Sequence, residues 1–213
     1  MSAMVFSNTY ASAQISNHYS QSTYGGIGLI ETPTARFPND GEITFGVSAE
    51  EPYGRIYASM QFFPWLEAVL RYTEGTHIRY LPRSPVENFN IFIPQTWKDK
   101  GLDVKARLLS ESEIMPEIAL GIIDLGGTGA FSSEYLVASK KINNFDISLG
   151  LGWGRLGGVD HFNNPVAWID ANREKRGGYN RRGGKINLSR FFSGPNTSIF
   201  GGMEYITPIE NLS

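Results

Sequence analysis

The ten residues Phe145–Gly154 (FDISLGLGWG) carry the pattern that decides the fold. Apolar side chains occupy every second position from Phe145 to Trp153, and small or polar residues occupy the positions between them. Successive side chains of a β-strand point to opposite faces of its sheet. The pattern therefore predicts a strand with one apolar face and one polar face.

The same alternation recurs along the chain and predicts eight strands in all. The other seven begin near the following positions: Glu42, Arg55, Leu66, Leu102, Ile118, Phe131 and Thr197. Tight turns are predicted near Pro64, at 110–116 and at 141–144, and long connections at 75–100 and 155–196. Strands of about 9–11 residues, with short turns at one end and long loops at the other, are typical of outer-membrane barrels.

The predicted fold class is therefore all-β: an antiparallel up-and-down transmembrane β-barrel of the outer-membrane type. The chain stops at Ser213, where a further strand should begin after Pro208. We therefore expect an incomplete barrel of about eight strands. A soluble β-sandwich also alternates, and it stays open as an alternative.

The composition excludes several classes of protein. The chain has no cysteine, so it has no disulfide, thiol nucleophile or thiolate metal site. Its three histidines are far apart, so neither a metal site nor a cofactor is predicted. The net charge of −2 gives no global basic field, so no nucleic-acid partner is predicted. The sequence contains no apolar run long enough for a membrane-spanning helix.

Three regions are predicted. Residues 1–13 look like the tail of a signal peptide, with Ala11-Ser12-Ala13 as a small-residue cleavage site. A disordered polar N-terminus is the alternative. Residues 14–40 are expected inside the barrel or at its periplasmic rim. Residues 41–213 are expected to form the barrel portion and to continue beyond the end of the chain.

Two groups of polar residues are candidate functional sites. The first is predicted to face a wet lumen and comprises Arg71, Asp103, Lys105, Arg107, Glu134 and Lys140. The second is a basic run predicted in an external loop and comprises Arg173, Lys175, Arg176, Arg181 and Arg182. Solvation explains such a loop by itself; contact with an anionic sugar or a lipopolysaccharide phosphate is the sharper hypothesis.

No catalytic residue is predicted. Gly152-x-Gly154-x-x-Gly157 matches a dinucleotide fingerprint, but the residues after Gly157 cannot begin the helix that this motif requires. A glycosidase needs two carboxyl groups facing each other across a cleft. The candidates are Glu67, Asp103, Glu117, Glu134 and Asp146. Their pairing cannot be fixed from the sequence, and solvated lumen charges are the simpler interpretation.

Four stretches are distinctive: QFFPWLE at 61–67, DLGGTGAF at 124–131, EYLVASK at 134–140 and LGLGWG at 149–154. These and several other stretches resemble the YjbH/GfcD family of exopolysaccharide proteins. The resemblance covers most of residues 24–213. It implies a large protein of the cell outer membrane, several times longer than this chain, that acts with periplasmic and lipoprotein partners. The family has no established catalytic residues.

The resulting functional hypothesis is a non-catalytic part in the export or assembly of exopolysaccharide or capsule. The partners it implies are outer-membrane lipid, the polysaccharide, and the periplasmic and lipoprotein components of such a system. A general porin or solute channel is one alternative. A soluble, secreted β-sandwich that binds carbohydrate is another.

Overall fold

The computed structural model describes residues 19–79, 96–158, 161–177 and 183–207. A two-residue hairpin comes first, formed by β1 (Gly28–Leu29) and β2 (Thr32–Pro33). Eight long strands follow: β3 (Ile43–Glu50), β4 (Tyr53–Phe63), β5 (Leu66–Arg79), β6 (Thr96–Leu109), β7 (Glu117–Ile123), β8 (Ser133–Ile142), β9 (Phe145–Gly154) and β11 (Asn196–Tyr205). The short β10 (Phe162–Asn163) pairs with the beginning of β11.

The strands form one antiparallel sheet in the order β10-β11-β9-β8-β7-β6-β5-β4-β3. The all-β, antiparallel prediction is thus confirmed, and each of the eight predicted strands is present. Within the described residues, no pairing joins β3 at one edge to β11 and β10 at the other. The sheet is therefore open over this part of the chain.

Three tight turns lie at one end of the sheet, here called the turn end. Pro64 and Trp65 join β4 to β5, and Asn143 and Asn144 join β8 to β9. Asn143 has a φ of 54°, in the left-handed region that asparagine tolerates better than most residues. Residues 110–116 join β6 to β7 at the same end. All three tight turns were predicted; Pro208 lies outside the described residues.

The opposite end, here called the loop end, carries the longer connections and one further tight turn, Glu51-Pro52 between β3 and β4, which was not predicted. Residues 124–132 join β7 to β8, and residues 155–195 lead from β9 to β11. The described part of the second connection forms 3₁₀ turns at Arg155–Gly157, Pro165–Trp168, Ala171–Arg173 and Leu188–Arg190. None of the helical turns in the described residues has the length and apolar character needed to cross a bilayer.

The sheet exposes its apolar face and buries its polar face. Phe45 is 79% exposed, Leu70 64% and Leu149 62%, and all three are mid-strand residues. On the other face, Arg55, Glu67 and other charged side chains are buried. This polarity is the reverse of a water-soluble sheet, which turns its apolar face to the core.

Glycines on the polar face make room for aromatic rings from neighbouring strands. The ring of Tyr135 on β8 lies over Gly121 on β7, where an added Cβ would come within 2.0 Å of its Cζ. Tyr57 covers Gly46 in the same way: a Cβ added at Gly46 would come within 2.3 Å of the Tyr57 hydroxyl oxygen. Such a ring shields the bare backbone of a glycine and pins the register of the two strands. The glycines are therefore packing sites for rings.

Candidate functional site

An N-terminal strap, residues 19–38, covers the polar face of the sheet. Its side chains Tyr24, Ala35 and Phe37 are buried. They join the core cluster that Phe131 and Val137 contribute from the sheet side. The sheet therefore buries its polar face under a segment of its own chain.

The middle of the strap is held by a buried lysine and a buried glutamate. Glu67 Oε1 accepts a hydrogen bond from the main-chain N–H of Ile27 at 3.0 Å. Lys105 Nζ lies 2.6 Å from Glu67 Oε2 and donates to the carbonyl oxygens of Ile27 and Arg36, at 3.2 and 2.6 Å. Charge-assisted hydrogen bonds are roughly twice as strong as neutral ones. The Lys105–Glu67 pair thus stabilises main-chain groups that would otherwise be buried without partners.

At the turn end, one arginine binds three carboxylates. Arg36 makes a bidentate contact with Asp146, through Nε and Nη2, at 2.7 and 2.8 Å. Its Nη1 lies 2.6 Å from Glu111 and 2.9 Å from Glu117. Arg36 and Asp146 are almost fully buried. Breaking these contacts would leave buried charges without partners, because water does not reach them. The cluster therefore fixes the end of the strap to β7 and β9.

At the loop end, two arginines stack against the aromatic side chains beneath the strap. The guanidinium carbons of Arg55 and Arg71 lie 4.7 and 4.8 Å from the centre of the Tyr24 ring. Tyr24 meets Phe131 edge to face at 6.1 Å between ring centroids. Arg71 is also paired with Asp103. Cation–π contacts gain strength when water is excluded, as it is here.

A buried acid closes the loop end of β7. The Asp124 main-chain N–H donates to Asp103 Oδ1 at 2.8 Å, and Asp124 Oδ2 accepts from the Phe131 N–H at 3.3 Å. Its other carboxyl oxygen has no hydrogen-bond partner. Burial raises the pKa of the Asp124 carboxyl to about 6, and the nearby Asp99 and Asp103 carboxylates add to the rise.

This raised pKa predicts a pH dependence of stability. The unfolded chain releases the Asp124 proton near pH 3.9, whereas the folded chain holds it up to about pH 6. The free energy of unfolding is therefore expected to fall as the pH rises from about 4 to about 6, by on the order of 2–3 kcal/mol from this group. Asp124→Asn is expected to remove that fall and to stabilise the protein at pH 8.

Urea unfolding at pH 4 and pH 8 measures this difference. Asp40→Asn is the control, because Asp40 is exposed at the turn end of the sheet. An Asp124→Asn variant that kept the full pH dependence would show that other groups cause it.

Four of the six residues predicted to face a lumen lie on the polar face. Arg71, Asp103 and Lys105 are buried there, and Arg107 is paired with Glu117 at 2.6 Å. The strand register also places these residues on one face of the sheet: Lys105 is the cross-strand partner of Glu67, which is buried on the same polar face.

The other two, Glu134 and Lys140, lie on the opposite face, which corrects the prediction for β8. In this strand Tyr135, Val137 and Ser139 are buried on the polar side. Glu134 and Lys140 alternate with them and pair across strands with Ile122 and Ile147. The prediction placed the two faces of β8 the wrong way round, because both faces of this strand carry apolar side chains.

Three residues of the basic run that was predicted in an external loop lie within the described part of the chain. Arg176 binds Glu134 with both Nη atoms, at 2.8 and 2.7 Å. Arg173 lies 3.2 Å from Asp170 and donates to two main-chain carbonyls. Lys175 is exposed. Arg181 and Arg182 lie outside the described residues. Two of these cations therefore support the fold of the loop itself.

The five candidate carboxylates for hydrolysis all have cationic partners. Glu67 pairs with Lys105, Asp103 with Arg71, Glu134 with Arg176, Asp146 with Arg36, and Glu117 with Arg36 and Arg107. The described residues contain no group of three or more acids and histidines placed to hold a metal ion. Sequence reasoning missed Arg36, the most highly connected residue of the site, because no motif surrounds it.

Comparison with known proteins identifies the family. The sequence model of a family described as "Exopolysaccharide biosynthesis protein YbjH" matches residues 20–213. The chain belongs to the YjbH family. This confirms the resemblance drawn from the stretches at 61–67, 124–131, 134–140 and 149–154.

One curated relative of this YjbH family member comes from Escherichia coli K12 and is described as an uncharacterized lipoprotein, YjbH. The two are 45% identical over 193 residues, which is 91% of this chain and 27% of the relative. The chain thus spans little more than a quarter of that relative's length. No solved structure matches the chain.

Proposed function

We propose that this chain forms part of an outer-membrane β-barrel that takes part in the export or assembly of exopolysaccharide and has no catalytic role. The observation that carries the proposal is the reversed polarity of the sheet. Its apolar face is exposed, and its polar face is buried under the strap. Lipid on the outside and polar groups on the inside are what a membrane barrel requires.

The reversed polarity argues against a soluble β-sandwich. A sandwich packs the apolar faces of two sheets together and turns the polar faces to water. Here the face that carries Phe45, Leu70 and Leu149 has no second sheet against it in the described residues. An exposed apolar area that extends across eight strands is far larger than the patches found on soluble monomers.

The strap argues against a simple porin. A porin keeps a water-filled channel along its polar face. In this chain the strap occupies that face from Tyr24 to Phe37; hydrogen bonds of its main chain with Glu67 and Lys105, and the ion pairs of Arg36, hold it there. A polymer that passed through such a barrel would have to run beside the strap. We therefore favour a conduit or scaffold with a partly filled interior.

The non-catalytic role is supported by the state of the acids. Every carboxylate considered for hydrolysis is paired with an arginine or lysine. A glycosidase needs two carboxyl groups that are free to act on a sugar across a cleft, and carboxylates held in ion pairs with the fold's own cations are not free in this way. Membership of a family described by exopolysaccharide biosynthesis supports the cellular role. Periplasmic and lipoprotein partners belong to the same proposal.

Two measurements on cells that express the full reading frame test the proposal. The protein is expected in the outer-membrane fraction of a density gradient and is expected to stay there through a urea wash. Deletion of the gene is expected to abolish surface polymer, and a plasmid copy of the wild-type gene is expected to restore it. Recovery as a soluble periplasmic protein would refute the barrel proposal. A normal amount of surface polymer in the deletion strain would refute the export role.

A further inference from the structure

The apolar outer face ends in lysines at the loop end of the sheet. On β6, Lys98 and Lys100 alternate with the buried Asp99, so they share a face with Leu102. Tyr72 on β5 is the cross-strand partner of Lys100. Tyrosine and lysine are side chains that the membrane–water interface favours, so these strand ends have the composition expected where a strand leaves the lipid.

These lysines border two adjoining hollows that share Gly127 and Thr128. The larger hollow, of about 680 Å³, is lined by Tyr72, Lys98, Lys100, Gly183 and Gly184 together with the buried Asp99. The smaller, of about 250 Å³, is lined by Lys185, Ile186, Asn187, Arg190 and Phe191 together with the buried Asp124. We call the two hollows the rim cleft.

The exposed charges of the rim cleft have one sign. Lys98, Lys100 and Lys185 are exposed, and none of them is within ion-pair distance of an acid among the described residues. Glu74, the cross-strand partner of Lys98, accepts a hydrogen bond from Thr96 instead. The two acids that line the cleft are buried, and Asp99 already accepts a hydrogen bond from Thr128 at 2.7 Å. An anionic group is therefore the complement of this surface.

Exposed apolar side chains stand beside the lysines. Ile186 is 59% exposed and Leu188 71%; Ile186 directly follows Lys185 in the chain, and Leu188 lies two residues further on. Apolar and cationic side chains side by side fit a partner that is anionic in one part and apolar in another. A phospholipid-type headgroup with its acyl chains has this chemistry, whereas a free sugar chain lacks the apolar part.

We propose that the rim cleft binds the phosphate-bearing headgroup of a membrane lipid, with Ile186 and Leu188 against the acyl chains. The larger hollow shares Tyr72, Lys98 and Lys100 with the outer face of the sheet, so a lipid layer against that face would reach it. The inference rests on the proposed membrane function and adds a specific lipid contact to it. Lysines act as point charges here and accommodate phosphate in several orientations.

The test uses the purified full-length protein in a zwitterionic detergent. Short-chain phosphatidic acid is titrated, with short-chain phosphatidylcholine and inorganic phosphate as the comparison ligands. Each lysine near an anionic lipid contributes roughly a fivefold gain in affinity. The triple variant Lys98→Gln/Lys100→Gln/Lys185→Gln is therefore expected to weaken phosphatidic acid binding by about 100-fold.

Two further variants separate the parts of the surface. Ile186→Ser/Leu188→Ser is expected to weaken phosphatidic acid binding and to leave the weak binding of inorganic phosphate unchanged. Lys141→Gln/Lys175→Gln removes two exposed lysines outside the rim cleft and is expected to change neither. Circular dichroism of each variant checks that the sheet is retained.

Three results would overturn the inference. They are equal binding of phosphatidic acid and phosphatidylcholine, equal binding of phosphatidic acid and inorganic phosphate, and an unchanged affinity in the triple lysine variant. Density-gradient fractionation of the same protein keeps this failure separate from failure of the proposed function. A protein that stays in the outer membrane but shows no phosphatidic acid preference refutes only the lipid site.

Discussion

Replacing Arg36 with methionine is expected to destabilise the protein by about 3–5 kcal/mol, because the change strands buried carboxylates. Asp146 would lose both of its contacts with the guanidinium group, and Glu117 would keep only Arg107. Methionine preserves much of the volume of the arginine stem, so the loss reports on charge and hydrogen bonds more than on packing. Equilibrium unfolding in urea measures the difference.

A second readout follows the strap itself. Arg36 is the last strongly held residue before the chain leaves the polar face. Its loss is expected to make residues 19–38 sensitive to a protease at concentrations that leave the sheet intact. The sheet and the strap thus give separate signals.

The control for Arg36 is Lys141→Met. Lys141 is an exposed cation at the same end of the sheet. A change at such an exposed site is expected to alter stability by less than about 0.5 kcal/mol. Adding Asp146→Asn to Arg36→Met is expected to recover part of the stability, because it removes the stranded charge. Equal, small losses for both variants would mean that the Arg36 cluster does not hold the strap.

The strands were predictable because their signal is local. In Phe145–Gly154, every apolar side chain from Phe145 to Leu151 lies on the outer face, as the alternation requires. The turn at Asn143 and Asn144 was predictable for the same reason, since turn residues mark their own position. Local rules suffice where one face is uniformly apolar and the other uniformly polar.

The phase of β8 was not predictable from its own residues. Leu136 and Ala138 face outward, and Tyr135 and Val137 face inward, so both alternations are apolar. Only the pairing of Gly121 with Tyr135 decides between them, because the ring needs the glycine beneath it. That information lies on another strand, and no window of β8 contains it.

The strap site was hidden for a related reason. Arg36 lies 75 residues from Glu111, 81 from Glu117 and 110 from Asp146 in the chain. In the sequence Arg36 and Glu111 look like ordinary surface charges, and Glu117 and Asp146 could be named only as acids of a possible lumen. Their convergence follows from the order of the strands and the path of the strap, and neither has a local sequence signal. Contacts that depend on topology need the structure.

The outer face offers the sharpest test of the membrane proposal, through an arginine at Leu149. Leu149 lies at the middle of β9 and is 62% exposed. If the face contacts lipid, Leu149→Arg is expected to cost about 2–4 kcal/mol, the cost of a cation near the bilayer midplane. If the face contacts water, the same change at an exposed site is expected to alter stability by less than about 0.5 kcal/mol.

Leu70→Arg on β5 repeats the test on a distant strand of the same face, and Ile114→Arg is the control. Ile114 is 86% exposed but lies in the 110–116 turn, outside any strand, so arginine there should cost little in either environment. Urea unfolding from phospholipid vesicles gives the three free energies of unfolding. Losses at Leu149 and Leu70 with none at Ile114 place lipid against the sheet. Equally small changes at all three sites would place water there, and the exposed apolar face would then need a protein partner to cover it.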